Sequence, residues 1–299
     1  MATAQIFLSD GFVTVFCLAS QRKTVYTIAM KRIKSIMLCL LMLMGCTASP
    51  ALGGMDVYAF SIGKADCHLL SFDGAHVLID AGEADDGEDI ADALKYLGID
   101  KLDLVILTHF DKDHIGGFAE LCSSVDVAKV IMPDYVRDSK QYRAMMAAIE
   151  GYNIPVTRLS ADAAETIKGA TFEIWASTQA YDAKKGNDNE LSLITAVTYG
   201  NVRMLYMGDA QDSWLNDLCY KGYDLSCDVL KFPYHGKWQK EVPALLALSL
   251  PKYAIITDSN KNPMAEETEQ ALKTLDIEIL STSADNGHLF IDGSTVTVQ

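Results

Sequence analysis

The sequence predicts an α+β protein in which two β-sheets pack face to face between outer helices, a four-layer αββα sandwich. Three observations predict it. From residue 55 onward, short apolar runs of strand length alternate with segments of helical periodicity. Both halves of this region are rich in strands and each contains helices. No linker, repeat or low-complexity tract divides residues 55–299, so we expect them to form one domain.

In the first half, the strands expected from short apolar runs are 55–60, 67–72, 76–80, 102–107 and 130–132. Turns at Gly63 and at Asp73-Gly74 separate the first three strands. A helix is predicted over 88–97, because Ile90, Leu94 and Leu97 have helical spacing and Gly98 follows. A second helix is predicted over 140–150.

The second half repeats this order of elements. Strands are expected at 193–199, 203–207, 228–232 and 253–257. Helices are expected at 212–219, 243–248 and 264–275. Closing strands are expected near 278–280, 288–291 and 296–298.

The chain is strongly acidic, above all from residue 46 onward, a part that we call the body. The whole chain has a net charge of −15, from 25 Lys+Arg and 40 Asp+Glu. Five of these bases and one acid lie in residues 1–45, which leaves 20 bases against 39 acids and a net charge of −19 from residue 46 onward. Such a body repels phosphate backbones and anionic lipid at long range. We therefore expect no extended nucleic-acid grip.

Residues 30–46 have the features of a bacterial lipoprotein signal peptide. A basic start at Lys31, Arg32 and Lys34 is followed by an apolar run over 36–44, too short for the roughly 20 residues that span a bilayer. Leu43-Met44-Gly45-Cys46 then resembles a lipobox, whose cysteine carries lipid at the mature N-terminus. This predicts a membrane-anchored lipoprotein on the extracytoplasmic face; a cleaved signal and a secreted product are the alternative.

The segments that flank this signal are expected to lie outside the folded domain. Residues 1–29 are interpreted as a non-native upstream extension, with translation starting at Met30. The alternative is a longer signal-anchor that uses two apolar runs, 11–20 and 36–45. Residues 47–54 are small and are expected to form a short tether.

The seven cysteines show no CxxC pair and no zinc-finger spacing. Export would permit a disulfide, and Cys219 with Cys227 is the nearest pair in the body. Buried free thiols are the alternative.

A cluster of potential metal ligands follows the strand predicted over 102–107. His109, Asp111, Asp113 and His114 lie within six residues at a strand-to-loop transition. Imidazoles and carboxylates that converge within about 2.0–2.5 Å are what a divalent ion needs. Adjacent Asp113 and His114 point apart unless the loop folds around the ions, which suits two ions better than one. A solvated polar loop is the alternative.

This cluster resembles the His-x-His-x-Asp-His signature of the metallo-β-lactamase superfamily. It is similar in particular to the competence-protein (ComEC-like) branch, where the middle histidine is often aspartate, as at Asp111. Further segments resemble that branch in order along residues 55–299. They are Gly63-Lys-Ala-Asp66, Ile79-Asp80-Ala81-Gly82, Asn189-x-x-Ser192-Leu193, Gly208-Asp209-Ala210 and Lys231-x-x-Tyr234-His235-Gly236.

The resemblance implies a site for two divalent ions, Zn, Mn, Mg or Fe. His109 and Asp111 would bind the first ion. Asp113, His114 and His235 would bind the second, and Asp209 would bridge both. The implied activity is hydrolysis through a metal-bound hydroxide that Asp113 and Asp209, the candidate catalytic residues, hold in place. The implied substrates are phosphodiesters or short nucleic-acid fragments outside the cytoplasm, that is, a small or short anionic ester.

Two departures from the family pattern bear on the metal. The sequence has no histidine between His114 and His235, so Asn189, Ser192 or water fills the place of the third-motif histidine. Tyr234 replaces one of two paired histidines, which leaves His235 as the ligand. The oxygen-rich first position favours manganese, magnesium or iron over two tightly held zincs.

Other polar residues near the motifs have two interpretations each. Asp66 and Asp80 either orient the ligand histidines and metal loop or cap turns. Lys231 either holds an anionic substrate or is a lysine at the end of a strand. Lys112 and Lys237 either form a small positive island beside the ligands or are solvated. His68 and His76, on early strands, are expected to be structural.

Two other functions remain open from sequence alone. The missing histidine favours a non-catalytic metal-binding lipoprotein with a decayed site. Small envelope-linked esters would suit the acidic body as well as small phosphodiesters do.

Overall fold

The computed structural model describes residues 3–9, 12–19, 22–29 and 53–299. The chain divides into two compact units, residues 1–51 and 52–299. The predicted signal peptide, and all but the last two residues of the predicted tether, lie outside the described residues. In the described part, no helix has the length and hydrophobicity needed to cross a bilayer.

The first unit contains three antiparallel strands in an upstream region where the sequence analysis expected no folded element. They are β1 (Thr3–Ser9), β2 (Phe12–Ala19) and β3 (Arg22–Ala29). Their pairing is in simple hairpin order, with Ile6 opposite Val15 and Val15 opposite Tyr26. The sequence of these segments is rich in β-branched and aromatic residues, which favour strands.

The first large sheet of the second unit joins both ends of that unit. Its strand order is β11-β10-β8-β6-β5-β4-β19-β20. The strands are β4 (Met55–Ala59), β5 (His68–Phe72), β6 (Ala75–Ile79), β8 (Leu104–Ile106), β10 (Val130–Pro133), β11 (Val156–Leu159), β19 (Gly287–Ile291) and β20 (Val296–Val298). Strand β19 pairs antiparallel with β4, so the last two strands of the chain belong to the same sheet as the first strand of this unit.

The second large sheet is built from the later part of the chain, in the order β12-β13-β14-β15-β16-β17-β18. Its strands are β12 (Ala163–Ile167), β13 (Ala170–Trp175), β14 (Ile194–Tyr199), β15 (Val202–Tyr206), β16 (Val229–Lys231), β17 (Tyr253–Ile256) and β18 (Glu278–Ser281). A further short pair joins β7 (Lys101–Leu102) to β9 (Asp126–Val127).

Helices cover the outer faces of the two sheets. The first half contributes α1 (Gly87–Tyr96), α2 (Lys112–Ile115), α3 (Phe118–Ser124) and α4 (Lys140–Gly151). The second half contributes α5 (Asp212–Tyr220), α6 (Val242–Ser249) and α7 (Glu266–Thr274). Helix α4 starts where the Ser139 hydroxyl accepts a hydrogen bond from the Tyr142 N–H at 3.1 Å, a typical N-cap.

Three apolar layers hold these elements together. Leu69, Leu94, Phe118 and Met145 belong to the layer between the first sheet and its helices. The layer between the sheets includes Val57, Leu70, Val77, Phe172 and Val197. Outside the second sheet, the layer includes Trp214, Leu246 and Leu272. The predicted αββα sandwich is therefore confirmed.

Strands β11 to β13 and helix α3 were not predicted from the sequence. Strand β12 alternates between half-buried and exposed residues at the edge of its sheet, so it carries no apolar run. Helix α3 has only 7 residues, too few for its periodicity to stand out. The cysteines of the described region, Cys67, Cys122, Cys219 and Cys227, are free thiols.

The two sheets bring the ends of their parallel strands to one edge of the sandwich. In the first sheet β6 and β8 run parallel, and in the second sheet β15, β16 and β17 run parallel. The residues just after these strands are Asp80, the 108–114 loop, Asp209, His235 and Thr257. This edge therefore gathers most of the polar motifs of the sequence.

Candidate metal centre

Two glycines allow the 108–114 loop to lie against the end of strand β6. A Cβ on Gly116 would lie 2.4 Å from the Lys112 carbonyl oxygen and 2.5 Å from the Ala84 nitrogen. A Cβ on Gly117 would lie 2.4 Å from the Ala81 carbonyl oxygen. Any larger residue at either position would push the loop away from the sheet, so the Gly-Gly pair sets the depth of the site.

Three imidazoles turn their Nε2 atoms toward a shared space at this edge. His109, His114 and His235 are at most 2% exposed, and their Nε2 atoms have no hydrogen-bond partner among the described residues. Asp209 points into the same space, with Oδ2 3.0 Å from His235 Nε2 and 3.4 Å from His114 Nε2. Buried polar atoms normally have partners, so this convergence fits a divalent cation.

The opposite ring nitrogens are held by hydrogen bonds. His114 Nδ1 lies 2.8 Å from Asp80 Oδ2, and His235 Nδ1 lies 3.1 Å from the Thr257 carbonyl oxygen. Donation from Nδ1 leaves the Nε2 lone pair free for a metal. Asp80 also accepts hydrogen bonds from the Thr108 N–H at 2.8 Å and the Thr108 hydroxyl at 2.7 Å. The structure thus places Asp80 behind His114, a candidate ligand.

The loop that delivers His235 has an unusual backbone. Tyr234 and His235 both have positive φ, 50° and 51°, which is unfavourable for residues with a side chain. The Tyr234 N–H donates to the Gly208 carbonyl oxygen at 3.3 Å, which ties this loop to the one that carries Asp209. This pairing of loops aims His235 inward, while Tyr234 stays half-buried.

Behind the histidines lies a buried ion pair between Asp66 and Lys231, each 1% exposed. The Asp66 carboxylate faces the Nδ1 atoms of His114 and His235, at 3.8 and 3.4 Å. Lys231 also donates to the Gly208 carbonyl oxygen at 3.1 Å. Lys231 is therefore enclosed, and the structure places it behind the ligands rather than at a surface open to substrate.

Two sets of side chains have ligand atoms within 4.8 Å of one another: Asp66 with His114 and His235, and His109 with His114 and Asp209. The first set already holds the Lys231 ammonium beside the Asp66 carboxylate. In the second set, the His109 and His114 Nε2 atoms and Asp209 Oδ1 have no hydrogen-bond partner among the described residues, and Lys231 Nζ is further away, 3.9 Å from Asp209 Oδ1. We therefore place the metal centre on the Nε2 side of the histidines.

Asp113 and Asp111 lie at the margin of this centre. Asp113 Oδ2 is 3.6 Å from His235 Nε2 and 2.7 Å from Lys64 Nζ. Asp111 Oδ2 is 3.8 Å from His109 Nε2, and its other oxygen is paired with Arg137. Sequence reasoning missed both cations: Lys64 lies in the Gly63-Lys-Ala-Asp66 segment but was given no role, and Arg137 lies in no recognisable pattern.

Ser192 supports the centre through the backbone. Its hydroxyl accepts a hydrogen bond from the Asp209 N–H at 3.2 Å. Gly208, at φ 49°, packs against it, since a Cβ there would lie 3.0 Å from the Ser192 Cβ. Asn189 lies beside Ser192 in a short 3₁₀ helix and is mostly buried. The remaining histidines, His68, His76 and His288, belong to neither of the groups with ligand spacing found among the described residues.

The other histidines have separate surroundings. His76 Nδ1 lies 3.0 Å from the Ser71 hydroxyl, and the His288 ring stacks on Tyr58 at 4.3 Å. His68 is fully enclosed between the sheets, 5.4 Å from the Tyr206 ring. Burial lowers the pKa of His68 to about 4, despite the carboxylate of Asp66 nearby, so the ring is neutral at pH 7.

Lys112 and Lys237 form no positive island beside the centre, and the structure agrees with the other interpretation, that they are surface lysines. Lys112 Nζ pairs with Glu83 at 2.9 Å, and Lys237 Nζ donates to the Pro263 carbonyl oxygen at 3.0 Å. Both contacts lie on the surface. Lys64 and Arg137 are the cations that flank the ligands instead.

The charges of the centre compensate one another. Burial opposes ionisation of Asp209, but His235 and His114 outweigh it and hold the pKa of this carboxyl well below its usual range. Burial likewise opposes a charge on His114, but Asp209 and Asp80 raise its pKa well above the usual value. Without a cation, protons on His114 and His235 balance the carboxylates, since the effect of burial on His235 is also outweighed by Asp209 and Asp66, which raise its pKa. A metal ion would displace these protons, so its affinity would fall as the pH falls.

The fold and the buried His–Asp cluster define a metal-binding sandwich protein. A family model described as "Metallo-beta-lactamase superfamily" matches residues 62–256, and the chain belongs to this superfamily. The predicted family membership is confirmed.

Two curated relatives support the resemblance to the competence-protein branch. The chain is 26% identical to ComE operon protein 3 of Bacillus subtilis over 179 residues, 60% of this chain and 23% of that protein. It is 25% identical to Recombination protein 2 of Haemophilus influenzae over 213 residues, 70% of this chain and 25% of that protein. The chain therefore spans about a quarter of the length of each of these relatives.

Solved structures agree on the fold. The metallo-beta-lactamase fold protein YhfI from Bacillus subtilis superposes with a TM-score of 0.53 at 14% identity. The match covers 82% of this chain and all of that one. At this identity the likeness supports the shared αββα architecture.

Proposed function

We propose that this chain is a metal-dependent hydrolase of phosphodiesters or short nucleic-acid fragments. The observation that carries the proposal is one buried space in which three imidazole Nε2 atoms converge and Asp209 Oδ2 lies 3.0 and 3.4 Å from two of them. His109, His114, His235 and Asp209 would hold the ions, with Asp113 and Asp111 at the margin. When bound, two divalent ions would lower the pKa of a water molecule and polarise the scissile ester.

The surrounding residues support this role by holding the ligands still. Asp80 and the Thr257 carbonyl fix the rings of His114 and His235. The Asp66–Lys231 pair braces the Nδ1 side of both rings. Because these contacts are buried, the ligand geometry is set before a metal arrives, as an efficient site requires.

The substrate class is supported by charge and by the relatives. A net charge of −19 from residue 46 onward repels long polyanions. Lys64 and Arg137 are the cations beside the ligands, and their side chains are 35% and 27% exposed. One curated relative is named a recombination protein, which supports a phosphodiester as the bond that is cut.

We expect the metal-loaded protein to hydrolyse bis-p-nitrophenyl phosphate and short single-stranded DNA at least about tenfold faster than long duplex DNA at low salt. The preference should narrow as salt rises from about 50 to 200 mM, because screening weakens the repulsion of the duplex. Steady-state turnover of the three substrates under Zn, Mn, Mg and Fe is the measurement. A carboxylic ester in the same panel tests the alternative that small envelope-linked esters are the substrates.

Two results would contradict this substrate class. Tight binding of duplex DNA at moderate salt would show that the acidic body does not set substrate size. Turnover of the carboxylic ester without turnover of any phosphodiester would assign the same centre to envelope-linked esters.

A non-catalytic metal-binding protein is the second candidate. The observation that favours it is the Arg137 contact, which occupies one oxygen of the expected ligand Asp111, together with the missing third-motif histidine. Stoichiometric metal without turnover of any substrate in the panel would support this candidate over a hydrolase.

We also propose that Cys46 anchors the protein to the outer face of a bacterial membrane. The support is the basic, apolar and lipobox-like sequence of residues 30–46. Cys46→Ser should abolish labelling with radioactive palmitate and block cleavage, because no acyl acceptor remains. Cys39→Ser, in the apolar run, should keep both. An unmodified Cys46 inside an intact leader, seen by mass spectrometry, would rule the proposal out.

A further inference from the structure

Arg137 lies in the loop after strand β10 and contacts the metal loop at several points. Its guanidinium pairs with Asp111 Oδ1 and lies 3.0 Å from Asp188 Oδ1. It also donates to the Phe110 carbonyl oxygen at 3.1 Å. The Arg137 side chain is 27% exposed, so it lies at the mouth of the site rather than in the core.

Asp188 and Tyr135 are the buried residues of the hydrogen-bond network around Arg137. Asp188 is 2% exposed and accepts a hydrogen bond from the Tyr135 hydroxyl at 3.0 Å. The same hydroxyl accepts one from the Phe110 N–H at 2.9 Å. The backbone of Phe110 and the side chain of Asp111 are therefore both held by a buried carboxylate through Arg137 and Tyr135.

The two carboxylate oxygens of Asp111 have different contacts in this network. Oδ1 is taken by Arg137, while Oδ2 points toward His109 Nε2 at 3.8 Å. Metal bonds of about 2.0–2.2 Å to each atom allow a separation of up to about 4.4 Å between two ligands of one ion. Asp111 is thus presented to an ion beside His109 through a single oxygen.

We propose that Arg137 is a positioning residue that holds Asp111 as a one-oxygen ligand for the ion beside His109. Without the guanidinium, this partly exposed carboxylate would keep its 3.8 Å approach to His109 Nε2 but lose the cation that fixes its other oxygen. Within the described part of the chain, Arg137 contacts none of His114, His235 and Asp209, so an ion that these three would hold should not depend on it. The inference rests on the proposed metal site and adds a residue that controls one of its two positions.

The proposed role of Arg137 is tested by titrating the metal-free full chain with zinc. Binding is followed by isothermal calorimetry and by competition with a chelating dye. The wild-type chain should bind two ions. Arg137→Ala should weaken one of them by about 10- to 100-fold and leave the other unchanged. Arg137→Lys should lose nearly as much, because Nη1 alone makes the contacts to Asp111, Asp188 and the Phe110 carbonyl, and the lysine side chain, one bond shorter, places its ammonium short of that position. Asp188→Asn should show a smaller loss.

Arg143→Ala is the matched control, since Arg143 pairs with Asp138 on the exposed surface nearby. Both ions should bind it as they bind the wild-type chain. Circular dichroism checks that each variant is folded. If Arg137→Ala does not fold, the loss of one ion is measured in Arg137→Lys and Asp188→Asn instead. Unchanged or tighter binding of both ions in the Arg137 variants would overturn the inference. A wild-type chain that binds no zinc, manganese, magnesium or iron would overturn the proposed function as well.

Discussion

Asp209→Asn is expected to remove at least one metal ion and to lower hydrolysis by roughly 10³-fold or more, since bound metal supplies several kcal/mol of transition-state stabilisation. Asparagine keeps the size of the side chain but removes its charge. The carboxylate lies within 3.4 Å of the Nε2 atoms of both His114 and His235, so its loss affects the space that these rings share.

Metal content by mass spectrometry and turnover of bis-p-nitrophenyl phosphate measure the effect. His76→Gln is the control, because His76 is hydrogen-bonded to Ser71 and belongs to none of the clusters with ligand spacing. It should keep full metal and activity. Full metal occupancy in Asp209→Asn would refute the assignment of Asp209 as a bridging ligand.

Lys231→Met is expected to destabilise the metal-free protein by about 3–5 kcal/mol. The ammonium is enclosed and pairs with Asp66, which burial would otherwise keep uncharged. Methionine fills most of the space but removes the largest of the charges that keep Asp66 ionised, the others being those of His114 and His235. The free energy of unfolding in urea, with a chelator present, is the measurement.

An exposed ion pair provides the comparison. Lys273 lies 2.6 Å from Glu269 one helical turn away, with both side chains well exposed. Lys273→Met should cost about 0.5 kcal/mol or less. Adding Asp66→Asn to Lys231→Met should recover part of the lost stability, since the uncompensated charge is removed. A loss below about 1 kcal/mol for Lys231→Met would mean that the buried pair is not needed for folding.

Much of the site could be predicted because its residues lie in short runs after apolar strands. His109, Asp113 and His114 follow β8, Asp209 follows β15 and His235 follows β16. A buried strand is readable as an apolar run, and a polar cluster at its end has few structural uses. The order of the motifs along the chain then pointed to the family.

The roles of Asp111 and Lys231 could not be read in the same way. Asp111 was expected to bind metal freely, but Arg137, 26 residues further on, occupies one of its oxygens. Lys231 had two interpretations, and the choice depends on Asp66, which reaches it from the other sheet. Local patterns carry no information on such partners.

The sequence by itself determined the αββα class and the identity of the candidate ligands, because hydrophobic periodicity and short-range spacing are properties of neighbouring residues. Only the tertiary structure decided which ring nitrogens of His114 and His235 face the space that they share with Asp209. It did so because Asp80, Asp66 and Thr257 reach the Nδ1 atoms from separate strands, and packing of the two sheets brings them together. The Nε2 atoms are left as the face on which a cation can bind.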